Sequence, residues 1–214
     1  VAKFAMQLGR PVKCLYTREE VFFAHRGRHP FDMKYRTGFD AEGNILAVDA
    51  NTRLDGGAYS SFGLVTTYYS GQLLASPYRF GTYRFHSKRF YTNKPACGPK
   101  RGHGSVQPRF ALEVQLDKAA RTLGIDPVEL RRRNFTGEHT TTVNGFTIRT
   151  SGFLECLEKT EAASGWKERW GKLPRGRGLG VAASTYISGT NYCIYPSDLP
   201  QSAVQICLDR SGRA

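Results

Sequence analysis

TNKPACGPKRGHGSVQPRFALE, residues 92–113, joins two kinds of structure through one irregular turn. Before it, residues 79–91 are β-rich, with aromatics at Phe80, Tyr83, Phe85 and Tyr91. After it, Val106, Phe110, Ala111, Val114, Ala119 and Leu123 recur at helical spacing until Gly124 stops the helix. The turn is broken by glycine and proline, so it presents backbone N–H groups at a helix start, which suits an anionic ligand. Arg101 lies in its middle, and Gly102 and Gly104 permit close backbone approach on either side.

Outward toward the C-terminus, Asp126-Pro127 opens a second helix, with aspartate as cap and proline in the first position. That helix ends near Asn134. Residues 135–150 read as a loop with a small hairpin at 143–148, turning at Asn144-Gly145. Ser151 caps a helix to about Ser164 built on Phe153, Leu154 and Leu157. Residues 167–177 form a basic surface loop. Residues 178–188 and 203–208 are expected to be strands, with a turn at 209–212.

Toward the N-terminus, VAKFAMQLG reads as the end of a helix capped by Gly9, and VKCLYT as a short strand. Thr17 and Glu20 have the spacing of a capping box for a helix over 18–24. Residues 31–39 and 45–54 are two strands joined by the turn Asp40-Ala41-Glu42-Gly43-Asn44. Residues 55–58 break the second strand, and 61–74 are partly helical. Helices and strands mix without regular alternation, so the class is α+β. A break near Ser76 divides the chain into residues 1–75 and 76–214. Both ends read as internal to a longer protein.

The chain has 31 Lys+Arg against 18 Asp+Glu, a formal charge of +13. Such an excess suits a nucleic acid, a phosphate-bearing ligand or acidic neighbouring subunits. The basic residues are dispersed, and no nucleic-acid-binding motif is present. The densest group, Arg131, Arg132 and Arg133, closes a helix, where cations oppose the dipole. No apolar run spans a membrane. No secretory cleavage pattern marks the start. Five cysteines, at 14, 97, 156, 193 and 207, lack paired or metal-ligand spacing, which implies free thiols in a reducing compartment, the cytoplasm. Cys14 and Cys207 read as core residues.

Several other features read as structural. Gly176 and Gly178 do not complete a phosphate loop. His25, His29, His86 and His139 have no metal-ligand spacing and read as surface or loop residues. Ser60, Ser105 and Ser184 lack a nucleophile elbow. Asp55 and Glu113 suit buried partners of arginines, and Trp166 and Trp170 a packing pair.

Thr92, Asn93, Pro95, Arg101, Gly102, Gly104 and Gln107 fit the pattern TNTPxxxAFRGFGxPQ, and the loop thereby resembles that of the molybdenum hydroxylases, the xanthine dehydrogenase and aldehyde oxidase family. GRPVKCLYTREEVFFAHRGRHPF, the hairpin after it, DGGAYS and LGIDPVELRRRN resemble further segments of that family's large subunit in the same order. The resemblance covers nearly the whole chain. It implies parts of two α+β molybdopterin-binding domains and a molybdenum–molybdopterin cofactor in its cytosine dinucleotide form. Lys100, Arg101 and Gly102 would then lie beside the oxo and dithiolene ligands of the metal, with Gly104 and Gln107 completing the loop. None of these residues is itself implied as a metal ligand. A guanidinium suits that place because it stays charged at any working pH.

His103 stands where purine-oxidising members have a phenylalanine against the substrate ring, so the resemblance implies a different substrate. The imidazole can hydrogen-bond or protonate an oxygen substituent, or simply bond a carbonyl of the loop. Cys97 can touch substrate or serve as a small filler. Tyr69 falls near the place of a substrate-binding arginine; Tyr68 and Phe62 suit the core equally. Within the family, ACGPKRGHGSVQPRF resembles the large subunit of 4-hydroxybenzoyl-CoA reductase. That implies reductive removal of a ring hydroxyl from a CoA thioester, iron–sulfur and FAD subunits as partners, and a ferredoxin-type donor. A related hydroxylase acting on an aromatic heterocycle or aldehyde is the alternative, and a non-enzymatic basic nucleic-acid or assembly module is a third. The family's remaining cofactor motifs and its active-site glutamate lie outside these residues, so the chain alone is expected to be inactive.

Overall fold

A computed structural model describes residues 1–186, 204–207 and 209–212. Helix α1 (Ala2–Leu8) ends on Gly9 at φ 59°, the left-handed conformation its glycine allows. Helix α2 (Arg18–Ala24) begins with the expected capping box. Glu20 N–H donates to Thr17 Oγ1 at 3.2 Å, and Thr17 N–H to the Glu20 carboxylate at 2.7 Å.

Strands β1 (Phe31–Phe39) and β2 (Ile45–Asp55) pair antiparallel, with Phe31 opposite Leu54 and Gly38 opposite Ala47. Their turn is closed by Asp40, whose carboxylate accepts from the backbone and side-chain amides of Asn44 at 2.7 and 2.8 Å. Helix α3 (Gly63–Gln72) and a 3-10 turn (Leu73–Ala75) carry the chain across one sheet face. Strand β3 (Thr82–Phe90) then pairs parallel to β2, from Ala47 opposite Thr82 to Asp55 opposite Phe90. Such a crossover is what parallel pairing demands. The sheet order is β1-β2-β3.

Helix α4 (Val106–Leu123) covers the same face. Leu112, Leu116 and Ala120, at four-residue spacing, pack with Val48, Ala50, Leu74 and Tyr78 in the main core. Helix α5 (Pro127–Arg133) starts on Asp126, whose carboxylate accepts from Val128 and Glu129 N–H. Asn134 ties it to the sheet: Oδ1 accepts from Ile45 N–H and Nδ2 donates to the Gly43 carbonyl, both at 2.8 Å. A two-stranded ribbon, β4 (Thr140–Thr141) and β5 (Thr147–Ile148), precedes α6 (Phe153–Ser164) and α7 (Trp166–Arg169). Trp166 and Trp170 stack at 5.4 Å, as their spacing implies. The mixture of helix and strand matches the α+β reading.

Some expectations fail. Residues 11–17 form no strand, because alternation specifies a strand only where another strand offers its hydrogen bonds, and none lies beside them among the described residues. Cys14 is exposed there, and Cys207 is exposed as well, so neither is core. Residues 178–186 and 204–207 are also not strands, and 187–188, 203 and 208 lie outside the described residues. Gly152, not Ser151, holds the cap position of α6, although Ser151 Oγ still accepts from Phe153 N–H at 3.3 Å. Asp55 pairs with Lys94, not with an arginine. Glu113 does pair with one: Arg131, fully buried, meets it at 2.7 Å and Asp117 at 2.9 Å, while Tyr78 donates to Glu113 at 2.7 Å.

Candidate functional site

Loop 92–105 is pinned at its start by the end of β2. The Asp55 carboxylate accepts from Lys94 Nζ at 2.8 Å, Thr92 Oγ1 at 2.6 Å and Gly57 N–H at 3.0 Å. Those donors, Lys94 first, hold its carboxyl down to about 2. Farther on, Cys97 N–H donates to the Gly56 carbonyl at 3.2 Å and Gly98 N–H to the Gly27 carbonyl at 2.9 Å. The loop thus runs beside the segment 26–30, with Gly27 and Cys97 forming a parallel bridge.

Two further bonds stitch that segment to the loop. Arg28 donates to the Arg101 carbonyl at 2.6 Å, and Gln107 Nε2 to the His29 carbonyl at 2.8 Å. Between them the backbone turns through Gly102 at φ 71° and Gly104 at φ 76°. Gly104 is needed on two counts. Its φ disfavours any side chain, and a Cβ there would lie 2.7 Å from the Thr66 carbonyl oxygen and 2.8 Å from Tyr69 Cβ. The loop therefore sits directly on α3.

His103 projects into this contact. Its Nε2 is hydrogen-bonded to Thr66 Oγ1, and its ring lies edge-on to Tyr69 at 5.7 Å and tilted against Phe62 at 6.1 Å. Burial, then the Arg28 guanidinium, lowers its pKa and keeps the imidazole neutral. Behind it lies His29, only 2% exposed, with Nδ1 3.5 Å from the same Thr66 oxygen and Nε2 buried without a partner. Burial first, then Arg89 and His103, pushes its pKa down to about 4. His29 thus lies in a loop, as its lack of metal spacing implied, but it is buried and not at the surface. The loop reaches it only through tertiary contact, which spacing in the sequence cannot encode.

Of the residues singled out from the sequence, His103, Tyr69, Gly102, Gly104 and Gln107 converge here. Tyr69 is buried against Gly104 and His103. Phe62 is 57% exposed, so it is no core residue. Cys97 is buried in the loop, and burial, then Asp55, raises its thiol. A thiol so held is a poor nucleophile, and its backbone rather than its sulfur makes the bridge to Gly27. Lys100 and Arg101 are exposed, and Arg101 is tethered through its carbonyl. Two cavities of about 430 and 540 Å³, beside residues 151–157 and 181–186, are lined by other residues.

This end of the molecule is basic. It carries the exposed Arg26, Lys100 and Arg101 together with Arg28, and Arg26 donates to Ser61 Oγ at 3.1 Å. Helix α4 begins here with no side-chain cap and no acidic residue in its first turn. Its first-turn Gln107 keeps a buried Oε1 without a partner. Uncapped N–H groups and a helix dipole suit an anionic group at this end, whereas the buried Gln107 oxygen, an acceptor, does not contribute to that. Among the described residues no group of three or more His, Cys, Asp or Glu could hold a metal ion, and no helix is long and apolar enough to cross a membrane. Arg26, Arg28, His29 and Thr66 are the site residues missed from sequence. For the first three the one visible signal is the basic run RGRH at 26–29, which reads as a surface feature until the loop is folded against it; Thr66 has no such signal.

Comparison with known proteins agrees with that chemistry. Residues 1–135 match the family model of the molybdopterin cofactor-binding domain. The xanthine dehydrogenase molybdenum-binding subunit of Escherichia coli is 35% identical over 210 residues, covering 95% of this chain and 27% of that protein. The chain thus spans about a quarter of that relative's length. Quinoline 2-oxidoreductase from Pseudomonas putida superposes with a TM-score of 0.70 at 28% identity, over 78% of this chain and 22% of that one. Aldehyde oxidoreductase from Desulfovibrio gigas superposes with a TM-score of 0.69 at 25% identity, over 79% and 19%. The chain belongs to the molybdopterin-binding large-subunit family of the xanthine dehydrogenases and aldehyde oxidoreductases.

Proposed function

We propose that this protein works as a molybdenum-dependent oxidoreductase that hydroxylates an aromatic heterocycle or an aldehyde. The observation that carries the reading is the junction of loop 97–107 with residues 26–29 at the uncapped start of α4. There Lys100 and Arg101 offer charge to an anionic cofactor, Gly102 lets the backbone approach it, and Gly104 and Gln107 hold the loop in place, against α3 and against the His29 carbonyl. When bound, the molybdenum–molybdopterin group, in its cytosine dinucleotide form, supplies the two-electron chemistry. His103 packs against Tyr69 and the exposed Phe62, an aromatic cluster whose outer edge suits a flat substrate. The names of the relatives, which include a quinoline oxidoreductase and an aldehyde oxidoreductase, support an oxidative reaction.

A second reading, reductive dehydroxylation of 4-hydroxybenzoyl-CoA, is favoured by the half-buried neutral imidazole of His103, a fit hydrogen-bond partner for a ring oxygen. In either case iron–sulfur and FAD subunits would complete the electron path in the cytoplasm, with a ferredoxin-type donor and a CoA thioester needed only by the reductive reading. Molybdenum analysis of the full-length subunit tests the shared core. Arg101→Ala should lower bound molybdenum or turnover strongly with the fold intact; wild-type metal content together with wild-type turnover overturns it. Turnover of the complete enzyme with quinoline, an aldehyde and 4-hydroxybenzoyl-CoA then separates the two reactions.

A further inference from the structure

Thr66, on α3, has one hydroxyl proton and three acceptors within reach. They are the Phe62 carbonyl at 3.3 Å, His29 Nδ1 at 3.5 Å and His103 Nε2, the closest. The hydroxyl oxygen can also accept, so the proton positions on the two imidazoles are coupled through it. His29 decides the direction. Its Nε2 is buried with no partner. An orphaned N–H in that place is costlier than an orphaned lone pair. The Arg89 guanidinium acts on the same ring and disfavours any further positive charge there. His29 therefore carries its proton on Nδ1 and donates to Thr66. Thr66 in turn donates to its nearest acceptor, His103 Nε2. That leaves the His103 proton on Nδ1, for which the described residues provide no partner and which lies on a half-exposed ring.

We propose that Thr66 and His29 are positioning residues that fix His103 as the neutral tautomer protonated on Nδ1, so that it presents an N–H donor to the substrate. The inference rests on the reading above that His103 faces the substrate. It adds a substrate class: a flat ring bearing a hydrogen-bond acceptor, such as a ring nitrogen or a carbonyl or phenolic oxygen, in place of one recognised through its own N–H or O–H donor. It also explains why a nearly buried histidine lies behind the loop. The groups that set its state come from each neighbouring element: Arg28 and His29 from segment 26–30, Thr66 and Tyr69 from α3, and Arg89 and Asp55 beyond His29.

Neutron diffraction from crystals of the full-length, cofactor-loaded enzyme in deuterated buffer reads the protons directly. Deuterium on Nδ1 of both His29 and His103, with the Thr66 deuteron directed at His103, is expected. Deuterium on His103 Nε2 overturns the relay. Kinetics test whether the relay matters. Thr66→Val keeps the shape of the side chain and deletes the hydroxyl, so kcat/KM should fall about tenfold at unchanged molybdenum content, the effect of one lost hydrogen bond. Thr66→Ser should restore it to within about twofold. Wild-type kcat/KM in Thr66→Val overturns the positioning role. His103→Phe separates the layers: wild-type kinetics in that variant, with deuterium found on Nδ1 of His103 in the unsubstituted enzyme, overturns the substrate-facing reading and the donor role built on it.

Discussion

At the scale of single residues, two positions carry most of the site's definition. His29 ionises only when the pH falls to about 4, whereas an unfolded histidine does so near 6.5. Its pKa is depressed on folding, so its contribution to stability is complete above about 6.5 and is lost as the pH falls toward 4, where the unfolded chain takes up the proton first. The difference is on the order of 3 kcal/mol. His29→Asn keeps a donor near Nδ1 and removes the titration. The unfolding midpoint of the full-length subunit should therefore lose part of its decline between pH 6.5 and 4, and an unchanged pH dependence would show that His29 is solvated. Gly104 is the second position. Gly104→Ala forces a Cβ to 2.7 Å from the Thr66 carbonyl at a left-handed φ, so the loop must leave α3. Molybdenum content should fall together with the Thr66–His103 contact. Full metal loading would mean that the cofactor does not need the loop in this position. The need for glycine was visible in the sequence. The carbonyl that makes it strict was not, because Thr66 lies 38 residues upstream, 104 − 66, and only packing brings it there.

At the scale of elements, local signals were legible and non-local pairing was not. The capping box of α2, the Asp126-Pro127 start of α5 and the glycine stop of α4 are written in neighbouring residues, and each formed as read. The β1–β2 hairpin also followed from its turn. By contrast, VKCLYT alternates like a strand but finds no pairing edge among the described residues, while β3 reaches its place beside β2 only after the α3 crossover. The same limit hid what joins α4 to α5. Arg131 has no exposed side-chain surface, and its charge is met by Glu113 and Asp117 on α4, with Tyr78 completing the carboxylate. Burial and the Glu113 charge keep the Tyr78 hydroxyl protonated far above its usual range. Removing one member of such a network strands the others. Glu113→Ala should cost about 3–5 kcal/mol, read as a drop in the denaturant midpoint, while Glu113→Leu combined with Arg131→Met should cost much less. Equal losses in the two proteins would mean that packing, not the buried charge, holds these helices together.

At the scale of the whole molecule, the charge excess of +13 looks different once partners are assigned. Arg109 is buried and donates to the carbonyls of Leu73 and Leu74, and Arg131 and Arg132 are engaged by carboxylates. The sheet covers its core on one face only. Its open face carries Lys34, Arg36, Arg53, Arg84 and Lys88 against Asp32 and Asp49, and Asp49 is shared by Arg36 and Arg84. Those two guanidiniums hold the Asp49 carboxyl well below the usual range, with Arg84 the larger influence. Arg53 pairs with Asp32 as well, so among the described residues Lys34 and Lys88 are what remain without an ion pair on this face, too few to follow a phosphate backbone. Two further basic groups remain, the segment of Lys167, Arg169, Lys172, Arg175 and Arg177 and the junction of loop 97–107 with residues 26–29, which carries Arg26, Arg28, Lys100 and Arg101. Nucleic acid should therefore bind weakly and through few phosphates. In filter binding with duplex DNA, log affinity against log salt should have a slope no steeper than about −5, with retention gone by roughly 200 mM salt, because each neutralised phosphate contributes about −0.9. A steeper slope with tight binding at physiological salt would move the charge excess from the cofactor site to a nucleic-acid surface, and the open sheet face would be the first place to reverse it, by Lys34→Glu with Lys88→Glu.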